Sequence, residues 1–120
     1  MKRLIECVPN FSEGNDLNVI KQITDQIESV EGVRLLNVDP GKATNRTVVT
    51  MVGEPEAVVE AAFRAIRKAG ELIDMSKHKG EHPRMGATDV CPLIPIAGIS
   101  MEETATYARQ LAKRVGEELN

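Results

Sequence analysis

The chain has 120 residues, a net charge of −3 and only 2% aromatic side chains. That length suits one compact domain with a real core. The acidic balance, the lack of a Lys/Arg cluster and the scarcity of aromatic platforms exclude a typical nucleic-acid binder, and the short, charge-interrupted apolar runs exclude a membrane-spanning helix.

Glu6 interrupts the N-terminal run too early for a secretory signal. The two cysteines, Cys7 and Cys91, each sit in an apolar strand-like run, as expected for buried, reduced thiols in a cytoplasmic protein. Arg3 to Val8 alternates as a strand, closed by Pro9 and the turn-rich residues 10–15. From Asp16 to Val30, the apolar residues Leu17, Ile20, Ile23, Ile27 and Val30 recur at spacings of three and four, one stripe of an amphipathic helix ended by Gly32. Val33–Val38 and the β-branched run Thr47–Val52 predict two further strands, joined by a hairpin loop over residues 39–46 that is longer than a tight turn requires. Pro55 opens a second helix that runs to about Ile73. A polar segment, 74–89, precedes a fourth strand, Val90–Ala97. Pro92 and Pro95 lack backbone donors and so assign that strand to a sheet edge. Ser100 and Glu103 form a capping-box signature before a last helix with the stripe Ala105, Ala108, Leu111, Ala112, Val115 and Leu119.

This order predicts an α+β fold, a ferredoxin-like βαββαβ sandwich with an additional C-terminal helix. Right-handed crossovers give the strand order 4-1-3-2 with helices on one face. Cys7 and Cys91 then become sheet neighbours; a bridge between them is conceivable, but adjacency alone does not make one. The same topology brings the polar segments 9–15, 39–46 and 74–89 to one end, while the opposite end has only short connections. That end is the expected site.

The segment from His78 to Asp89 holds both histidines, and histidine is suited to proton transfer near neutral pH. His78-Lys79-Gly80-Glu81-His82 matches the letters of an H-x-x-E-H zinc motif, but Gly80 and Pro83 deny it the rigid helix such a site needs, so no metal is expected. Acid–base chemistry at His82, beside Glu81, Arg84 and Asp89, competes with a plain solvated loop. His78, between Lys77 and Lys79, reads as a solvent-facing or recognition residue. Arg46 and Arg84 suit an anionic substrate, because guanidinium grips carboxylate in bidentate fashion. Asp39 and Asn45 are turn formers as well as candidate ligands, and Glu13-Gly14 can equally be a helix start. The candidate substrate-binding set is Asn10, Glu13, Asp39, Asn45, Arg46 and Arg84. No Ser/His/Asp arrangement, Walker loop or dinucleotide fingerprint is present.

Glu6-Cys7-Val8-Pro9-Asn10-Phe11-Ser12-Glu13-Gly14, Thr44-Asn45-Arg46-Thr47-Val48 and the stretch from Ile73-Asp74-Met75-Ser76 through Cys91-Pro92 resemble the N-terminal subdomain of glutamate formiminotransferase, the transferase half of formiminotransferase-cyclodeaminase. The resemblance covers essentially the whole chain and implies a ferredoxin-like subdomain. It implies formimino transfer between tetrahydrofolate, as co-substrate, and L-glutamate in histidine breakdown, with His82 at the position of the catalytic histidine. Placement and charge then suggest Asp39 as an orienting or cation-stabilising group and Arg84 or Arg46 as a carboxylate clamp. In the family, folate lies in a groove between this subdomain and a second one, of which residues 1–120 supply only the first. The expected partner is therefore a second copy or a separate second subdomain. The alternative is a non-catalytic domain that binds a small ligand or a partner protein.

Overall fold

Strand Leu4–Cys7 (β1) buries every second side chain, Ile5 and Cys7, and turns Leu4 and Glu6 the other way. The computed structural model, which describes residues 2–73 and 88–119, repeats that alternation across one antiparallel sheet. Its further elements are β2 (Asn10–Phe11), α1 (Leu17–Glu28), β3 (Val33–Gly41), β4 (Arg46–Gly53), α2 (Pro55–Leu72), β5 (Thr88–Val90), β6 (Leu93–Ala97) and α3 (Met101–Glu118). β1 pairs with β4 and β6, β2 with β4 and β5, and β3 with β4 alone. β1 and β2 are thus one path interrupted at Val8-Pro9, and β5 and β6 another interrupted at Cys91-Pro92. Counted as four long strands, the order is the expected 4-1-3-2, with β6 and its prolines at an edge. The two breaks face each other: the Val8 amide donates to the Pro92 carbonyl at 3.2 Å, and the Val49 amide to the Pro9 carbonyl at 3.0 Å.

Three boundaries differ from the sequence reading. The first strand does not end at Pro9 but resumes as β2, because β4 accepts Asn10 and Phe11 in register with Val48 and Thr47. The hairpin loop is not residues 39–46. β3 continues through Asp39, Pro40 and Gly41, paired with Val48, Thr47 and Arg46, and the turn is only 42–45. Pro40 costs little there because β3 is an edge strand and its missing donor faces no neighbour. A bulge between Leu35 and Asn37 offsets the register on the way. The last strand likewise begins earlier than Val90, at Thr88.

The helices start as their capping residues dictate. Asp16 accepts from the amides of Asn18 and Val19 at 3.0 and 3.2 Å, Pro55 opens α2, and both halves of the Ser100/Glu103 capping box form. α1, α2 and α3 all pack on the face that presents Ile5, Cys7, Val49 and Met51. Phe11, Ile23, Ile27, Val58 and Phe63 complete this core. Each large apolar side chain buried there contributes about 1.5–3 kcal/mol.

Between α2 and α3, the Glu60 carboxylate accepts from Arg114 Nη1 at 2.7 Å and Arg64 Nε at 2.6 Å, and the Arg114 guanidinium lies 3.7 Å from the Phe63 ring centroid. One turn earlier on α2, Glu56 accepts from the Tyr107 hydroxyl and Arg3 Nη2, both at 2.7 Å. Burial pushes the Glu60 carboxyl up, but the hydrogen bonds from Arg114 and Arg64 outweigh it, and the group lies below the usual carboxylate range. The Tyr107 bond, followed by a backbone bond and then Arg3, lowers Glu56 in the same sense. A depressed folded-state pKa adds stability that is complete above the unfolded value and is lost as pH falls through the folded one. The urea midpoint is therefore expected to drop on acidification from about pH 5 to about pH 3. In Glu60→Gln, which starts less stable at neutral pH, that drop becomes shallower; an unchanged slope would show that the Glu60 pair is not linked to folding.

Candidate functional site

The polar end of the sheet is built by two loops that lock together. Gly14, buried in the loop after β2, lies so close to the hairpin that a Cβ there would meet the Gly41 oxygen at 2.2 Å and the Arg46 nitrogen at 2.6 Å. No side chain larger than hydrogen fits that approach. Asn45 completes the lock from the hairpin. It adopts φ 52°, a conformation Asn tolerates better than most residues, and its Oδ1 accepts from the Gly14 amide at 2.9 Å and from Asn15 Nδ2 at 2.8 Å. Glu13 works in the same junction: its Oε2 accepts from the amides of Asn15 and Asp16, each at 3.0 Å, and its carbonyl accepts from the buried Thr47 hydroxyl. Asn45 and Glu13 therefore hold the loops in place.

Asn10 and Asp39 are brought together differently. Both pair with Val48, one from each side, so Asn10, Val48 and Asp39 form a row across three strands. Thr47, Val49 and Met51 are buried beneath the helices, so Val48 and its row mates point to the opposite face, which carries no helix among the described residues. Asp39 is exposed and Asn10 half-buried, its Nδ2 3.5 Å from the Val8 carbonyl. Two interstrand spacings separate their backbones, about 10 Å. Arg46, half-buried and opposite Gly41, lies two residues before Val48 on β4 and shares that face. The same face carries an apolar stretch: Val52 is half-buried, while Ile94 and Ile96 on β6 are 40% and 50% exposed.

His82 and Arg84, like His78 and Glu81, lie outside the described residues. Ile73 and Thr88 flank that segment, and Thr88 pairs with Phe11, next to Asn10. Among the described residues no group of three or more His, Cys, Asp or Glu side chains stands close enough to hold a metal ion. The loop lock itself was missed by sequence reasoning. Its signals are Gly14 in a polar turn and Asn45 at the last position of a hairpin loop.

The family model for the N-terminal subdomain of the formiminotransferase domain matches residues 4–120. The chain is 60% identical over 120 residues to formimidoyltransferase-cyclodeaminase of Mus musculus, an alignment that takes in 100% of this chain and 22% of that protein. It is 46% identical over 119 residues to glutamate formimidoyltransferase of Streptococcus pyogenes serotype M1, covering 99% of this chain and 40% of that one. Against glutamate formimidoyltransferase of Thermoplasma acidophilum the identity is 50% over 116 residues, or 97% and 38% of the two chains. The chain thus spans between 22% and 40% of the length of these curated relatives.

Gly14→Ala is expected to destabilise the fold by about 1–3 kcal/mol, because backbone rather than a flexible side chain must give way. Asn45→Ala loses the side-chain acceptor for the Gly14 amide and the Asn preference for positive φ, about 1–2 kcal/mol. Urea unfolding of the two variants measures both losses, and values near zero would show that the loops do not depend on the lock.

Proposed function

The chain belongs to the formiminotransferase family as its N-terminal subdomain, and from that membership we propose that it supplies one wall of a site for formimino transfer between tetrahydrofolate and L-glutamate. The supporting observation is the match over residues 4–120, with relatives named glutamate formimidoyltransferase. The convergence of Asn10, Asp39 and Arg46 on one helix-free face agrees with it.

When folate accepts the group, N5 of tetrahydrofolate adds to the formimino carbon, and the tetrahedral intermediate then expels the glutamate amine. One proton must leave N5 and one must reach the departing nitrogen. In the reverse direction the glutamate amine must first lose a proton before it can attack. His82 is assigned both transfers, as base and then acid, a role worth roughly 10²–10⁴-fold in rate. The formimino group is an amidine and is cationic when protonated, so the Asp39 carboxylate, exposed on the row with Asn10, is assigned to orient and stabilise it. Arg46 and Arg84 are assigned to substrate carboxylates. Glu13 and Asn45 act on the substrate through the loops they hold.

The sheet face opposite the helices, with Ile94 and Ile96 exposed, is the surface on which we place a second subdomain, with folate between the two. The second reading is a domain that binds a ligand or partner without turnover, and the uncovered apolar face alone fits it equally well.

Formimino transfer from N-formimino-L-glutamate to tetrahydrofolate, followed by absorbance of the folate product with and without the second subdomain, decides between them. His82→Ala is expected to lower kcat by at least about 10²-fold with an unchanged thermal midpoint. Asp39→Asn is expected to lower kcat/KM by about 10–100-fold, the loss of one charged hydrogen bond. Absence of transfer under both conditions, with folate still bound, would leave the binding reading.

A further inference from the structure

Cys7 and Cys91 have no part in formimino transfer, yet the fold sets their sulphurs side by side. Cys7 is fully buried on β1, and Cys91 falls in the break between β5 and β6. Both thiols are free, with their Sγ atoms 3.4 Å apart. The sheet holds them there. Cys7 pairs with Leu93, two residues past Cys91, and the Val8–Pro92 hydrogen bond clamps the strands between them. A disulfide has an S–S length of about 2.05 Å. The sulphurs therefore need to close by little more than an ångström, a distance that side-chain rotation can cover without breaking strand register.

The two thiols differ in access. Cys91, half-buried, lines a cleft of about 250 Å³ between α2 and α3, together with Ile66, Thr88, Ala108, Leu111 and Val115. The Thr88 hydroxyl oxygen is buried and has no hydrogen-bond partner among the described residues, so this mostly apolar cleft offers one polar anchor. Cys7 has no such opening. The hydrogen bond to the Cys91 sulphur, with burial next, holds the Cys7 thiol far above the ordinary thiol range.

We propose that Cys7 and Cys91 form a reversible redox pair, in which Cys91 reacts with a small peroxide and Cys7 resolves the product into an intramolecular disulfide. The Cys91 sulphur gives up its proton as it attacks one oxygen of hydrogen peroxide. The O–O bond breaks, the Cys91 sulphur is oxidised to sulfenic acid, and the departing hydroxide takes a proton to become water. The Cys7 sulphur then attacks the Cys91 sulphur, gives up its proton and expels a second water. Overall, two thiols lose two hydrogens and one peroxide is reduced to two waters. A cellular dithiol would reverse the bond by exchange.

The test treats the wild-type chain with hydrogen peroxide, blocks remaining thiols by alkylation and maps the peptides by mass spectrometry without reductant. Alkylatable thiols are expected to fall from two to none, with one cross-link between the peptides holding residues 7 and 91, and dithiothreitol should restore both. Thiols that remain alkylatable, a cross-link between two chains, or Cys91 oxidised to sulfinic acid beside a reduced Cys7 would each overturn the pair. In Cys7→Ser, Cys91 is expected to stop at a sulfenic acid that dimedone traps. In Cys91→Ser, Cys7 should stay reduced at the same dose, and oxidation there at the wild-type rate would overturn the assignment of roles. If neither variant folds, the wild-type peptide map still decides the pairing.

Discussion

Among the described residues the helices cover one face of the sheet only, and nearly everything else in the structure follows from that. Ile5, Cys7, Val49 and Met51 have no exposed surface because α1, α2 and α3 lie across them. The alternating positions, Glu6, Val48, Thr50 and Val52, are left for something other than this chain's own helices. Side-chain period therefore divides labour along each strand: odd positions of β4 face the helices, and even positions face away from them. A one-residue slip of β4 would bury Val48 and expose Val49, so the register that builds the core also aims Asn10, Asp39 and Arg46. Stability and site geometry are set by the same strand pairings.

That division explains what was legible in the sequence. The helix starts could be read because Asp16, Pro55 and Ser100 act within a turn of themselves. The strand order could be read because Pro92 and Pro95 require an edge. The extent of β3 could not, because Asp39-Pro40-Gly41 has turn composition and local propensity says loop. What overrides it is nonlocal: β4 offers Val48, Thr47 and Arg46 as partners, and an edge strand tolerates Pro40. The resumption of the first strand after Pro9 has the same origin, since it rests on pairing with β4 and β5. Bringing residues 9–15 and 39–46 to one end was a topological deduction and needed no side-chain detail. Telling Asn45 and Glu13 from Asn10 and Asp39 did need it. All four are polar residues in polar stretches, and only hydrogen bonds such as Asn45 Oδ1 to the Gly14 amide show which are engaged inside the fold.

The loop lock and the proposed chemistry are connected by geometry. Proton transfer and orientation of a small cation depend on placing a few groups to within fractions of an ångström. Asp39 lies on an edge strand, which has hydrogen-bonded support from one side only. Gly14, pressed onto Gly41 and Arg46, supplies the missing restraint two residues beyond Asp39. The Thr47 hydroxyl fastens the same loop from the core side. An otherwise loose hairpin end is thereby tied to the body of the domain close to where the carboxylate is needed.

The paired breaks at Val8-Pro9 and Cys91-Pro92 do the same for the opposite edge. A proline cannot donate to a ladder, and two of them at one level of adjacent strands leave the sheet free to change direction there. Beyond the breaks, β2 and β5 carry Asn10, Phe11 and Thr88 as a short three-stranded patch with β4. Cys7 and Cys91 stand at the hinge line between that patch and the main sheet. A covalent bond between them would tie the strands where the Val8–Pro92 hydrogen bond and the contact between the two sulphurs now span the breaks. The patch that presents Asn10 would then be held by a bond that depends on redox state, and the dithiol would couple the link between two strands to the row of Asn10, Val48 and Asp39.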